Sequence, residues 1–205
     1  ATRKAFGIES VQITDYEAVD SVSAGQLRAD ATALPAIRLM DPAIIAPTFE
    51  QLQQVRGYYR FPSTLDVDRY NVEGRETDSV VAARELDLNA VEAGNTWNNM
   101  HTVYTHGYGL VAAYGNRRES NGEPTYFSGG IPTEGLIKQE QPRIYFGEES
   151  KHWVIAGAPE GAEPVELDTP GGGQEHTETK YTYQGSGGVP VGNFLNKLAF
   201  AVRFG

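Results

Sequence analysis

At 205 residues, with 40% hydrophobic and 10% aromatic side chains, the chain has enough apolar material for a packed core, which excludes global disorder. A net charge of −10, from 27 acids against 17 bases, and the lack of any Lys/Arg cluster argue against nucleic acid as a partner, because an acidic surface repels phosphate. The absence of cysteine removes disulfides, thiolate nucleophiles and Cys-ligated zinc.

No apolar run approaches the roughly 18 residues a membrane span requires. The opening ATRKAFGIESVQI has no signal-peptide core, so the chain itself reads as soluble. The 23 glycines and 11 prolines predict many turns and short strands. Phe6 to Ile13 alternates imperfectly and predicts a strand, followed by a mixed segment that ends at a break, Met40-Asp41-Pro42. In PTFEQLQQVRGYYRFP, Thr48 and Gln51 have capping-box spacing, Phe49, Leu52, Val55 or Arg56, and Tyr59 recur at helical intervals, and Gly57 offers a stop. From Thr64 the period changes to two. TLDVDRYNVEG and DSVVAARELDL read as two strands that can pair as a hairpin.

Asn95 is an N-cap candidate for a helix carrying Trp97, Met100 or His101, and Tyr104. His106 falls in its last turn, Gly107 is a left-handed stop, and a strand follows from Gly109 to Tyr114. A short strand is predicted around Pro124 to Phe127. RIYFGEESKHWVIAG reads as a hairpin of Ile144–Phe146 with Trp153–Ile155. The acidic stretch PEGAEPVELDTPGGGQEHTETK holds six carboxylates, three prolines and a triple glycine between Pro159 and Lys180, and reads as a solvated, flexible loop at about 157–180. GSGGVPVGN leads into a last helix, where Val191, Phe194, Leu195, Leu198 and Val202 predict one buried face. Strands and helices in mixed order predict a single α+β domain over 1–205, mostly short antiparallel strands with a few helices packed on the sheet.

The residues that could carry chemistry are few. His101 and His106 are five apart and cannot share a helix face, unlike the four-residue spacing of a helix-borne zinc pair, and no glutamate follows either one. They remain, with Asp66 and Asp68, the candidates for a catalytic or metal site, with His152 able to join them only in space. Asp66, Asp68, Asn71 and Glu73 do not meet the ligand order of a calcium loop. Asp66 and Asp68 instead share one strand face, where Arg69 or Arg84 could pair with them. No nucleotide loop and no GxSxG appears. No cofactor is expected, a divalent cation being the one alternative.

Taken in order, TRKAFGI, FEQLQQVRGYYRFPSTLDVDRYNVEG, VVAAREL, NTWNNMHTVYTHGYGLVAAYGN, QPRIYFGEES and YTYQGSGGVP resemble uncharacterised protein family 0182, large multi-pass bacterial membrane proteins. The resemblance implies that this chain is part of a soluble region on the extracytoplasmic side of the membrane. The partners it implies are the transmembrane part of the same protein, with a cell-envelope component or a further copy as alternatives. No catalytic residue is carried over by it. Two functions are then expected: a binding or structural module, or a cell-envelope hydrolase or metal-binding domain using His101, His106, Asp66, Asp68 or Glu85.

Overall fold

The computed structural model describes residues 2–5, 7, 9–11, 21–26, 38–91, 96–169 and 178–204. The chain divides into two units, Ala1–Ala36 and Ile37–Gly205. In the first, α1 (Thr2–Ala5) is a single helical turn. The strand predicted over Phe6–Ile13 lies largely outside the described residues, and Gly7, Glu9 and Ser10, which are described, occupy turns.

In the second unit, the apolar run Val80-Val81-Ala82 and its partner Val111-Ala112-Ala113 form the middle of a sheet covered on both faces. The sheet has five antiparallel strands in the order β2 (Asp66–Val72), β3 (Arg75–Ala83), β6 (Leu110–Arg118), β7 (Pro124–Gly129), β8 (Glu134–Gly135). Val80, Ala82, Val111 and Ala113 point to one side, where Met40, Ile45, Phe49, Phe61 and Leu65 close the core. Val81, Ala112, Tyr114 and Phe127 point to the other, with Val72. Continuous rather than alternating hydrophobicity is what burial on both faces demands. The β2–β3 hairpin is as predicted. Its two-residue turn places Glu73 at φ 53° and Gly74 at φ 80°, the pair of positive values that matches strand twist.

The first long helix is α2 (Pro42–Gln53). It starts six residues before the predicted cap: Asp41 Oδ1 accepts the Ala43 amide at 2.9 Å and Pro42 supplies the first helical φ. Thr48 is therefore in mid-helix, and the supposed break at Asp41-Pro42 is the helix start. Phe49 is fully buried, with its ring 6.0 Å from Phe61 and 5.1 Å from Tyr126, a burial that contributes about 2–3 kcal/mol.

The helix also ends early, at Gln53 rather than Gly57, because Val55 adopts φ 65°. A β-branched side chain is strained there. Val55→Gly should accordingly stabilise the fold by about 0.5–1 kcal/mol, after allowing for the extra freedom of glycine in the unfolded chain. Urea melts of the two proteins check this, and an unchanged or lower midpoint would contradict it.

Two further predictions are corrected. Ile144–Phe146 does not pair with Trp153–Ile155. Instead β9 (Arg143–Ile144) pairs antiparallel with β5 (Gly107–Tyr108), while Ile155 N–H donates to His101 O at 2.6 Å. The final helix α3 (Phe194–Phe204) forms, capped by an Asn196 amide bond to Asn193 Oδ1 at 2.7 Å, but none of its residues is buried. Two short pairs complete the unit: β1 (Tyr59–Arg60) with β4 (Glu85–Leu86), and β10 (Glu166–Thr169) with β11 (Thr179–Tyr181). The architecture is α+β, mostly strands. No helix among the described residues is long and apolar enough to cross a membrane.

Candidate functional site

The residues of the Trp97–Asn116 block separate into two surroundings. After Trp97 and Asn98 the chain winds into a π-helical turn over Asn99–Val103, closed by Tyr104 N–H on Asn99 O at 3.0 Å. The predicted cap Asn95 lies outside the described residues. His101 lies flat on Trp153, centroids 3.7 Å apart and 10° between planes. Its Nδ1 is 2.8 Å from Trp153 O, and since a carbonyl only accepts, Nδ1 carries the proton. Trp97 stands at 6.0 Å from Trp153 and is itself exposed.

His106 does not end that helix. It is in extended chain just before β5, and Gly107 is a strand residue rather than a left-handed stop. Glycine is required there because a Cβ would collide with the Arg84 carbonyl and the Glu85 Cα. The positive φ belongs to Gly109, at 80°.

His106 is buried against two carboxylates that charge alone assigned to a solvated loop. Glu166 and Asp168 lie on β10 and are buried; residues 170–177 of the same acidic stretch lie outside the described ones. Glu166 accepts four hydrogen bonds. Gly157 N–H and Tyr183 N–H reach Oε1, each at 2.8 Å. Thr105 Oγ1 and Tyr145 OH reach Oε2 at 2.9 and 2.6 Å. Because the Thr105 proton goes to Glu166, its oxygen must accept from His106 Nδ1, 2.9 Å away, so that nitrogen carries a proton. His106 Nε2 then faces Asp168 Oδ1 at 3.6 Å, longer than a hydrogen bond.

Asp168 is clasped by Arg143, with Nε on Oδ1 at 2.6 Å and Nη2 on Oδ2 at 2.8 Å, a bidentate pair. The guanidinium also covers the Tyr181 ring at 3.6 Å and donates from Nη1 to Gln141 Oε1 at 3.1 Å. Burial pushes the Asp168 carboxyl up, but His106 and the clasping Arg143 outweigh it and hold the group at about 2. Burial first, then the bond to Glu166, raises the Tyr145 phenol well above its usual range.

The sign of the acid effect follows. A carboxyl depressed in the folded state stabilises above the unfolded value near 4, and that contribution disappears as pH falls through about 2. Its size is on the order of 2 kcal/mol. Asp168→Asn should be less stable than the parent at pH 6 and should converge with it near pH 2 in denaturant titrations. A gap of equal size at both pH values would contradict the assignment.

A cavity of about 280 Å³ opens beside this network, lined by Gln141, Arg143, Ile144, Tyr145, Phe146, Tyr183 and Gly185. Three of the seven lining residues, Tyr145, Phe146 and Tyr183, are aromatic. Tyr145 and Tyr183 meet edge to face at 4.6 Å. Phe146 is exposed, 71% accessible. A second buried acid supports the adjoining loop: Glu85 takes the Glu148 and Glu149 amides at 2.9 and 2.7 Å, and a Cβ on Gly147 would strike its carboxylate.

The other sequence candidates are elsewhere. Asp66 and Asp68 are exposed on the edge strand β2, where Asp68 Oδ1 accepts the Arg69 amide at 2.7 Å. Arg84 does not pair with them; it is buried among carbonyls. His152 is exposed. Among the described residues no three His, Cys, Asp or Glu side chains are grouped to hold a metal ion. Sequence reasoning missed Glu166, Asp168, Arg143, Tyr145 and Tyr183. The available signal was local: in Glu166-Leu167-Asp168-Thr169 an apolar residue sits inside the acidic run, and YTY begins twelve residues after Thr169.

Fold and site together define a small α+β domain whose buried acids fasten irregular loops around an aromatic-walled cavity. The family model described as Uncharacterised protein family (UPF0182) matches residues 1–205, and the chain belongs to that family. It is similar to a UPF0182 protein of Leifsonia xyli subsp. xyli, 46% identical over 204 residues, and to one of Tropheryma whipplei, 49% identical over 207. Each alignment covers 100% of this chain and 21% of the relative. A UPF0182 protein of Micrococcus luteus is 45% identical over 207 residues, with 20% of its own length covered. The chain thus spans about one fifth of the length of the curated relatives it matches. No solved structure matches it.

Proposed function

We propose that this chain is a binding module in the extracytoplasmic region of a larger membrane protein, and that its ligand-facing surface is the cavity between Tyr145, Phe146 and Tyr183. The observation that carries this reading is the arrangement of Glu166. Two of its four bonds go to Tyr145 and Tyr183, which line the cavity, and the other two to Thr105 and Gly157, so these two wall residues are held in place before any ligand arrives. The same bonds occupy both carboxylate oxygens. A general acid or base needs a free path to its substrate, whereas the His106 side chain is 0% exposed and Asp168 is neutralised by Arg143. These features weigh against the hydrolase alternative, as does the placement of Asp66 and Asp68, exposed on an edge strand.

A shallow cavity with ring walls and a few amide and guanidinium groups at its rim suits the apolar face of a sugar ring, and cell-envelope glycan is the ligand class we assign to it. Calorimetric titration with soluble peptidoglycan fragments tests the assignment. Binding should be seen, and Phe146→Ala should weaken it by about tenfold without lowering stability, since that side chain is exposed. No heat from the parent protein would overturn the ligand. The location has its own test. A cysteine replacing exposed Lys138 in the full-length protein should react with an impermeant maleimide on intact cells, and reaction only after permeabilisation would overturn the extracytoplasmic reading.

A further inference from the structure

Helix α3 has an apolar face turned outward. At 100° per residue Phe194, Leu195, Leu198 and Val202 fall within one arc of about 100°, and they are 75, 74, 49 and 81% exposed. The helix is attached by the other side: Phe204, whose ring meets Phe200 at a tilt, lies 5.1 Å from Trp153. Val189, before the helix, is also exposed. A surface helix normally buries such a stripe, and a contiguous exposed one marks an interaction surface.

We propose that this face docks in cis, against an apolar surface of the same polypeptide supplied by the part of the family protein outside this chain. Three observations select that occupant. The relatives are about five times longer than the aligned chain, so most of the molecule is available to cover the face. Four side chains make a patch of a few hundred Å², well below the roughly 800 Å² per partner of a stable complex between separate molecules. A covalently linked partner does not meet the association entropy that sets that threshold. Charge also disfavours a second copy, because two chains of net charge −10 repel one another. The inference rests on family membership and α3, and does not depend on what the cavity binds.

Maleimide labelling of a single cysteine tests it, with Leu195→Cys and Val202→Cys placed in this chain and in the full-length protein, and Lys138→Cys as the exposed control. In this chain both thiols should react as fast as the control. In the full-length protein they should react at least tenfold more slowly at every protein concentration, with full reactivity returning in denaturant. Hydrogen exchange of α3 in the unsubstituted proteins should give the same contrast, which separates docking from any effect of the substitutions. Equal rates in the two proteins would overturn the proposal. So would shielding of this chain that grows with its concentration, which identifies a second copy. Shielding only on addition of phosphatidylglycerol vesicles would overturn it in favour of a lipid surface.

Discussion

Glu166→Ala is expected to destabilise the domain by about 4 kcal/mol, and Glu166→Gln by about half as much. Hydrogen bonds to a charged group contribute about 1.5–3 kcal/mol each, and a buried donor left without a partner costs about 1–3. Alanine orphans the Gly157 and Tyr183 amides and the Thr105 and Tyr145 hydroxyls together. Glutamine does less harm for a geometric reason. Its remaining oxygen can face the two amides, whose direction is fixed by the backbone. Its NH₂ then faces the two hydroxyls, which rotate to accept. For a chain of this length 4 kcal/mol corresponds to a fall in Tm of roughly 10 °C. Equal effects of the two variants, or a loss under 1 kcal/mol for alanine, would show that Glu166 is not the fastening described.

The second large effect is expected at Arg84, for which Ala should cost about 3–5 kcal/mol. The side chain is fully buried and held by carbonyls rather than by a carboxylate. Nε donates to Gln53 O at 2.7 Å, and Nη1 to Tyr108 O at 2.7 Å and Gly130 O at 3.4 Å. It thereby joins the end of α2, strand β5 and the turn after β7. Burial lowers its pKa to about 10, so it is charged at neutral pH and the carbonyl dipoles must stabilise that charge. Lysine cannot reproduce the planar fork, and Arg84→Lys should recover less than half of the loss. Methionine removes the desolvated charge but leaves the three carbonyls without donors, so it should fall between alanine and the parent. Full stability in Arg84→Met would mean that the fork contributes nothing beyond its volume.

How far the sequence could be read depended on whether a segment's pattern was local. The β2–β3 hairpin was legible because Gly74 marks the turn and the alternation from Leu65 marks the strand before it. The five-stranded sheet was legible in part, since Val80–Ala82 and Val111–Ala113 are short apolar runs. Helix α2 was placed too late because Asp41 was read as a break instead of a cap. The site was not legible. Glu166 and Asp168 sit in the most acidic part of the chain, where charge predicts solvent, and their burial depends on donors from four separate segments. No spacing rule brings Thr105, Tyr145, Gly157 and Tyr183 to one carboxylate. The amphipathic pattern of α3 was read correctly as a helix, but which side faces the rest of this chain is set by Trp153 through Phe204, a contact invisible in the pattern.

The most direct test of the account is amide hydrogen exchange at Gly157 and Tyr183 in the parent and in Glu166→Ala under native conditions. If Glu166 fastens the loops around the cavity, both amides are protected in the parent and lose that protection in the variant, while Val80 and Val111 in the sheet stay protected. Unchanged protection of Gly157 and Tyr183 in the variant, or none in the parent, would contradict it.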